Sequence, residues 1–357
     1  MSDTVESVGE VTGRPGPGGG NGGGNGARQF LAGGLGVFGR QREATVLVVT
    51  VALLLYFGFT YHSSFVSEVN IVDLLSELMA PIAIIAIGEV LLLICGEIDL
   101  SVGFIYTFAP IVTYVAVTDY HVPGALAVIL GLLSGVVAGW VNGFITITLG
   151  VPSFITTIGT GFILYGLALT IMHATPEAVP PGAFSTGKWL GIPGDPWQWA
   201  PLVWAVALVL IFHLVLTRTR WGLYTISAGS NLLGAREAGI NVGRIKYGNF
   251  MITGFMGALV GLQTAFYTNN VDPSAGGYAP MFSAVIAAVI GGTAMLGGSG
   301  TILGAFLGAV VLATLTDGFT IAGISSNPLP IIFGGAILVA MIANVQLARL
   351  RQAGRTL

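Results

Sequence analysis

The chain has 357 residues, of which 54% are hydrophobic and 8% charged, with a formal net charge of -3. Soluble domains carry about 25% charged residues, so the composition excludes an ordinary aqueous domain and makes lipid the expected solvent. The 13 Lys and Arg residues fall in clusters rather than on one face, which argues against nucleic acid as a partner.

Residues 1–42 are polar and Gly-rich, with the run Gly18 to Gly24 broken only by Asn21. They cannot bury enough apolar surface to offset chain entropy, so a disordered cytoplasmic tail is expected. No apolar core of a cleaved signal peptide lies within it, and the first apolar run starts near Ala44. Apolar segments follow at 44–61, 74–95, 101–117, 124–147, 153–172, 201–216, 249–267, 281–296, 301–316 and 329–344. Each approaches the roughly 20 residues needed to cross a bilayer. The expectation is an all-α, polytopic integral membrane bundle over 43–345, with about ten transmembrane helices, in the inner or plasma membrane. The minimal loops around 95–101 and 296–301 predict broken or re-entrant helices there.

Orientation follows from where the basic residues lie. Arg14, Arg28, Arg40 and Arg42 precede the first span, Arg218, Arg220, Arg236, Arg244 and Lys246 lie between the sixth and seventh, and Arg349, Arg351 and Arg355 close the chain. Clusters separated by six and then four crossings share one side. Both termini, the loop 217–248 and the short basic tail 346–357 are therefore assigned to the cytoplasm, and Lys188 in the Pro-rich segment 173–200 to the outside.

Glycine recurs every fourth residue at Gly131, Gly135, Gly139 and Gly143, at Gly257 and Gly261, and at Gly300, Gly304 and Gly308. Such stripes let helix backbones touch in lipid, so they predict tight helix packing and say nothing of substrate.

Motifs for bond chemistry are wanting. Gly182, Gly187 and Lys188 have phosphate-loop spacing, but Trp189 stands where Ser or Thr would hold magnesium. His62, His121, His173 and His213 are scattered, so no metal site is assigned. Cys95 is the only cysteine and reads as a small buried hydrophobe. No catalytic residue and no cofactor is expected. In the loop 217–248, Asn231 can cap a short helix, Leu232 to Ala238 favour helix, and Gly239 can end it. Such a helix is either a docking element or a surface helix lying on anionic headgroups.

Three stretches resemble the signature of ABC-type monosaccharide permeases of the ribose and xylose importer family. They are Gly96-Glu97-Ile98-Asp99-Leu100-Ser101-Val102-Gly103; Ser227-Ala228-Gly229-Ser230-Asn231 with Ala235-Arg236-Glu237-Ala238-Gly239-Ile240; and Ile290-Gly291-Gly292-Thr293 running to Gly304. The resemblance covers about residues 45–345. It implies a transport subunit that does no bond chemistry and works with a cytoplasmic ABC ATPase, an extracytoplasmic sugar-binding protein and a second permease copy or homologous permease. The cargo would be a small-molecule sugar or polyol. The helix around Gly229, Ser230, Asn231, Ala235, Arg236, Glu237, Gly239 and Ile240 would then couple to the ATPase. Glu97 departs from the usual second glycine, Tyr165 from a common arginine, and Met281 and Ser283 from acidic residues. These departures leave the identity of the sugar open.

Glu77 and Glu89 flank Pro81 inside the second span, where a carboxylate must face protein or water. Glu89 reads either as a sugar-hydroxyl acceptor or gate, or as an interhelical hydrogen-bond partner. Asp99 and Ser101 can cap the third span, and Gly96 to Gly103 with Gly297 to Gly304 form a pair of candidate helix breaks along a transport pathway. Asn142, Phe154 and Thr157 complete the pathway candidates. The rival readings are an ion-coupled secondary transporter, with Glu89 or Asp99 carrying the proton, and an ABC permease for branched-chain amino acids.

Overall fold

The computed structural model describes residues 42–342 except Asp195, Ser326, Ala336, Ile337, Ala340 and Met341. The expected tails at 1–42 and 346–357 lie outside these residues, apart from Arg42. Among the described residues the secondary structure is helical, with one isolated antiparallel bridge between Glu177 and Val271.

Seven helices are long and apolar enough to cross a membrane. They are α1 (Arg42–Thr60), α2 (Glu68–Ile94), α4 (Gly124–Thr148), α5 (Ser153–Ile171), α6 (Trp197–Arg218), α9 (Val242–Thr268) and α11 (Ile302–Ile321). Two apolar helices are shorter, α3 (Val102–Thr118) and α10 (Tyr278–Ile290). Between α6 and α9 lie α7 (Arg220–Ser230) and α8 (Leu232–Glu237). Residues 329–335 are helical again.

Local chemistry accounts for the irregularities. In α2, Pro81 has no N–H to give the Glu77 carbonyl and its ring crowds that oxygen, and the residues just before it, Asp73–Met79, widen into a π-helical stretch. Pro123 and Pro152 immediately precede α4 and α5, where an extended backbone turns into helix.

Small residues decide which helices touch. A Cβ at Gly135 would meet the Gly254 carbonyl, one at Gly139 the Phe250 carbonyl, and one at Gly143 the Tyr247 ring, so α4 lies directly on α9. Gly131 faces Thr113 and Ala109 of α3, while Gly257 and Gly261 face the Val102 and Tyr106 backbone. Gly304 and Gly308 hold α11 against Gly291 and Ala287, and Gly300 sits on the Thr293 side chain.

These contacts fix depth. Val102 at the start of α3 packs against Gly257, near the middle of the 27-residue α9. The N–H of Gly277, which precedes α10, donates to the Gly103 carbonyl at 2.9 Å. Both short helices therefore begin at mid-depth and leave in opposite directions. The second helix break expected at Gly297 to Gly304 is instead a hairpin at the end of the bundle. The partner of the Gly96 to Gly103 break is the segment 269–277, which descends from the end of α9 to Tyr278.

Candidate functional site

At the end of the bundle that carries the basic residues, the three motif stretches converge. Gly298 N–H donates to the Ile94 carbonyl at 2.8 Å, and the Ser230 hydroxyl donates to the Gly298 carbonyl at 3.2 Å. A Cβ at Gly229 would strike the Ile94 carbonyl on one side and the Gly298 nitrogen on the other. Asn249 of α9 reaches the same place: its amide donates to Leu91 O at 3.2 Å and to the Cys95 sulfur at 3.1 Å, and its carbonyl accepts from Trp221 Nε1 at 2.9 Å. Cys95 is buried here, as its sequence reading requires.

From this junction α8 projects. Asn231 Oδ1 accepts from Gly234 N–H at 2.9 Å and so caps α8, and Gly239, with φ of +78°, turns the chain out of it. Ala235 is buried, with Ile240 partly buried beside it, in a small cluster with Cys95, Ala228, Val242 and Ile245. Arg236 and Glu237 are exposed, as are Leu232 and Leu233, the latter by 67%. Two leucines held outward on a short anchored helix form an unpartnered apolar face. Beside it Glu97 forms an ion pair with Lys246 of α9.

Deeper in the bundle, Asp99, Ser101, Asn142 and Thr157 come together, all fully buried. Asp99 Oδ1 accepts from the Ser101 N–H at 2.8 Å and hydroxyl at 2.6 Å, and Asn142 Nδ2 donates to Ser101 Oγ at 2.7 Å and to Asp99 Oδ2 at 3.3 Å. Thr157 Oγ1 accepts from Leu100 N–H at 3.0 Å, and Thr160 donates to Asn142 Oδ1 at 2.6 Å. Ser101 thus does not cap α3 with its hydroxyl, because Asp99 and Asn142 occupy it. Asp99 caps the N–H of Ser101 instead. This network staples the non-helical segment 95–101 to α4 and α5 from within. Glu89 lies beside it, fully buried, within reach of the charge and backbone N–H of Asp99 but with no well-formed hydrogen bond. Phe154 does not join: its ring is 56% exposed on the bundle surface.

At the mid-depth starts of α3 and α10 lies an aromatic cluster that the sequence did not signal. Phe104 packs against Phe162, Tyr165 and Tyr278 with ring centres 5.5 to 6.1 Å apart, and Tyr278 stacks on Phe282. Tyr165, where the sequence resemblance implied an arginine, is part of it. Phe162, Tyr278 and Phe282 are exposed. No cluster of metal-ligating side chains occurs among the described residues.

A multi-pass helical bundle with two mid-depth helix starts is the architecture of a membrane permease. Residues 70–342 match the family described as branched-chain amino acid transport system / permease component, and the chain belongs to that family of ABC-importer permeases, as a multi-pass inner-membrane protein. It is 37% identical over 311 residues to the xylose/arabinose import permease protein of Sulfolobus acidocaldarius, covering 85% of each chain. It is 29% identical to the fructose import permease protein of Rhizobium meliloti, over 84% of each chain, and 29% identical to the ribose import permease protein of Escherichia coli K12, over 85% of this chain and 93% of that one.

Proposed function

We infer that this permease carries a monosaccharide or related small polyol by alternating access, in an ATP-driven importer with a separate cytoplasmic ATPase, an extracytoplasmic sugar-binding protein and a second permease copy. Both termini and the segment 217–248 face the cytoplasm, on the distribution of Lys and Arg. The sugar reading draws on the relatives, which are import permeases for xylose/arabinose, fructose and ribose.

One observation carries the mechanism. The apolar face of α8 is exposed, while the residues immediately before it, Gly229 and Ser230, are wedged between Ile94 and Gly298. Displacement of α8 by an ATPase closing on nucleotide moves the end of α2 and the α10–α11 hairpin together. Through 95–101 that motion reaches Asp99 and the start of α3. Cargo alone cannot bias the two access states except by a difference in affinity between them, so the drive enters at α8. Asp99, Ser101, Asn142 and Thr157 act as the staple that makes the segment 95–101 move as a unit, rather than as sugar contacts, since their polar groups are taken up by one another and by Leu100 N–H.

The test is Leu233→Asp in the importer reconstituted with its ATPase and binding protein. Uptake of labelled D-xylose and association with the ATPase should both be lost, with the permease still eluting as a folded species in detergent. Normal uptake by this variant would remove α8 from the drive.

A further inference from the structure

We propose that a cleft at the end opposite the basic clusters is the permease's own receiving subsite for a neutral, polyhydroxylated ring; this rests on the import reading above. The cleft has a volume of about 300 Å³ and is lined by Tyr106 and Thr107 of α3, Thr264 and Thr268 of α9, and Asn270 and Asp272 of the descending segment. That volume is at the lower end of small-ligand pockets, which run from about 300 to 1,000 Å³, so it suits one sugar ring and not an oligosaccharide.

The lining sets the chemistry. The Thr107 and Thr268 hydroxyls donate to the Gly103 and Thr264 carbonyls and so offer acceptors, the Tyr106 and Thr264 hydroxyls and the Asn270 amide can donate or accept, and the Asp272 carboxylate accepts. Asp272 Oδ1 already takes the N–H and hydroxyl of Ser274, at 2.8 and 2.6 Å, which holds the carboxylate in place and leaves Oδ2 for a ligand hydroxyl. No Lys or Arg lines the cleft. A zwitterionic amino acid would bring its carboxylate to a site with a negative charge and no cation, whereas a sugar needs only neutral and anionic hydrogen-bond partners.

The floor is built to stay open. Gly276 is pressed against the Thr107 hydroxyl and the Gly103 carbonyl, Gly277 N–H bonds Gly103 O, and the same segment is pinned at Val271 to Glu177 of the Pro-rich loop. The cleft therefore reaches mid-depth, just above Tyr278 and the aromatic cluster. Its wall continues through Thr264 and Thr268 into a second cavity of about 40 Å³ lined by Ser76 and Gln263. Both of these are 1% exposed, and neither has a protein partner for its polar side-chain atoms. Buried polar groups of this kind ordinarily find a partner, and here they extend the cleft's hydrogen-bonding capacity to a hydroxylated solute and its water.

Cys95 is this chain's only cysteine and is buried, so Ala275→Cys at the exposed rim gives the permease one reactive thiol, read on the permease band alone. In vesicles carrying the complete importer, a membrane-impermeant maleimide added outside should label this thiol, and D-xylose, D-ribose or D-fructose should slow labelling while L-leucine does not. Asp272→Asn should reduce uptake of the same sugar about tenfold below saturation, the loss expected for one charge-assisted hydrogen bond. Labelling unaffected by a sugar that the wild-type vesicles import would overturn the subsite and leave the import reading standing. So would normal sugar uptake by Asp272→Asn. Wild-type vesicles that import L-leucine but no monosaccharide or polyol, or labelling slowed by L-leucine, would overturn both.

Discussion

The two ends of the bundle are built in different ways. At the basic end, α2, α7 and the α10–α11 hairpin meet backbone on backbone, with glycines where any side chain would collide. At mid-depth and beyond, α3, α5 and α10 meet through aromatic side chains, and a cleft opens above them. Backbone contacts leave no slack, so under the proposed drive a displacement at α8 would be passed on whole. Rings and a cleft can rearrange, which is what a passage requires. The proposed drive and the proposed passage are thus separated along the membrane normal, with the buried staple around Asp99 between them.

The sharpest way to break this comparison is to crowd the rigid end. Gly229→Val places side-chain atoms against the Ile94 carbonyl and the Gly298 nitrogen at once, and neither backbone can step aside. Overpacking typically costs about 1 to 3 kcal/mol, and a site walled by backbone should exceed that range. Uptake should fall to background, with a lowered melting temperature in detergent. Gly159→Ala is the matched control, since nothing lies within 4 Å of its added methyl group; uptake and melting should stay at wild-type values or rise slightly.

The staple should show the next largest effect. Asn142→Leu takes a donor from the Asp99 carboxylate and from the Ser101 hydroxyl, both fully buried, while the partly buried Thr160 hydroxyl keeps its bond to the Thr157 carbonyl. At about 1 to 3 kcal/mol per stranded group, the loss should approach 3 kcal/mol, read as a lower melting temperature and reduced uptake with unchanged preference among sugars. A changed preference with unchanged melting would turn the staple into a cargo site. Phe154→Ala, on the exposed surface, should shift melting by no more than about 0.5 kcal/mol.

How much of this was legible in the sequence depends on what each signal measures. Hydropathy finds segments that dissolve in lipid, so the polytopic helical bundle was evident and its elements fell close to their expected places. It does not tell where a helix begins along the normal. Val102 and Tyr278 start at mid-depth because the segments before them, 95–101 and 269–277, have their backbone groups satisfied by protein, and such segments carry no hydropathy signature. The glycine period announced close packing on one face but not the partner: Gly135 could not reveal that it meets Gly254. Asn231 and Gly239 were readable because capping is local chemistry. Asp99 with Asn142 is a tertiary pairing, and the residue types alone suggested a helix cap at Asp99 and a pathway contact at Asn142, not a bond between them. Phe154, chosen for its aromatic face, turned outward, while Phe162 and Tyr278 gathered at the half-helix starts without any spacing to announce them.

A smaller effect is expected at α8 itself. Asn231→Ala removes one side-chain cap from a six-residue helix that is otherwise anchored by Ala235 and Ile240. Loss of an N-cap costs about 1 kcal/mol, so uptake should drop by less than about tenfold while ATPase association persists. Complete loss of ATPase association would mean that the cap, and not the leucine face, is the contact.

The smallest predicted effect tests whether the rigid end also uses charge. Glu97 and Lys246 stand 149 residues apart and pair at the edge of the junction, each partly exposed. Pairs near solvent contribute about 0 to 1 kcal/mol, so Glu97→Gln should lower melting only slightly. Its larger consequence is positional, because the pair ties the non-helical segment 95–101 to the first turns of α9. Glu97→Lys sets two cations together and should cut uptake further than Glu97→Gln. Lys246→Glu alone should do the same with two carboxylates. The double exchange Glu97→Lys with Lys246→Glu restores opposite charges at the same spacing, and recovery of uptake in that variant would establish that attraction holds the segment. If the double variant is as poor as the singles, the two side chains matter through their separate packing. Glycine at 97, which the sequence resemblance implied, then becomes informative: Glu97→Gly should leave uptake intact if backbone contacts through Gly298 and Asn249 suffice to hold the segment, and reduce it if this chain relies on the ion pair in their support.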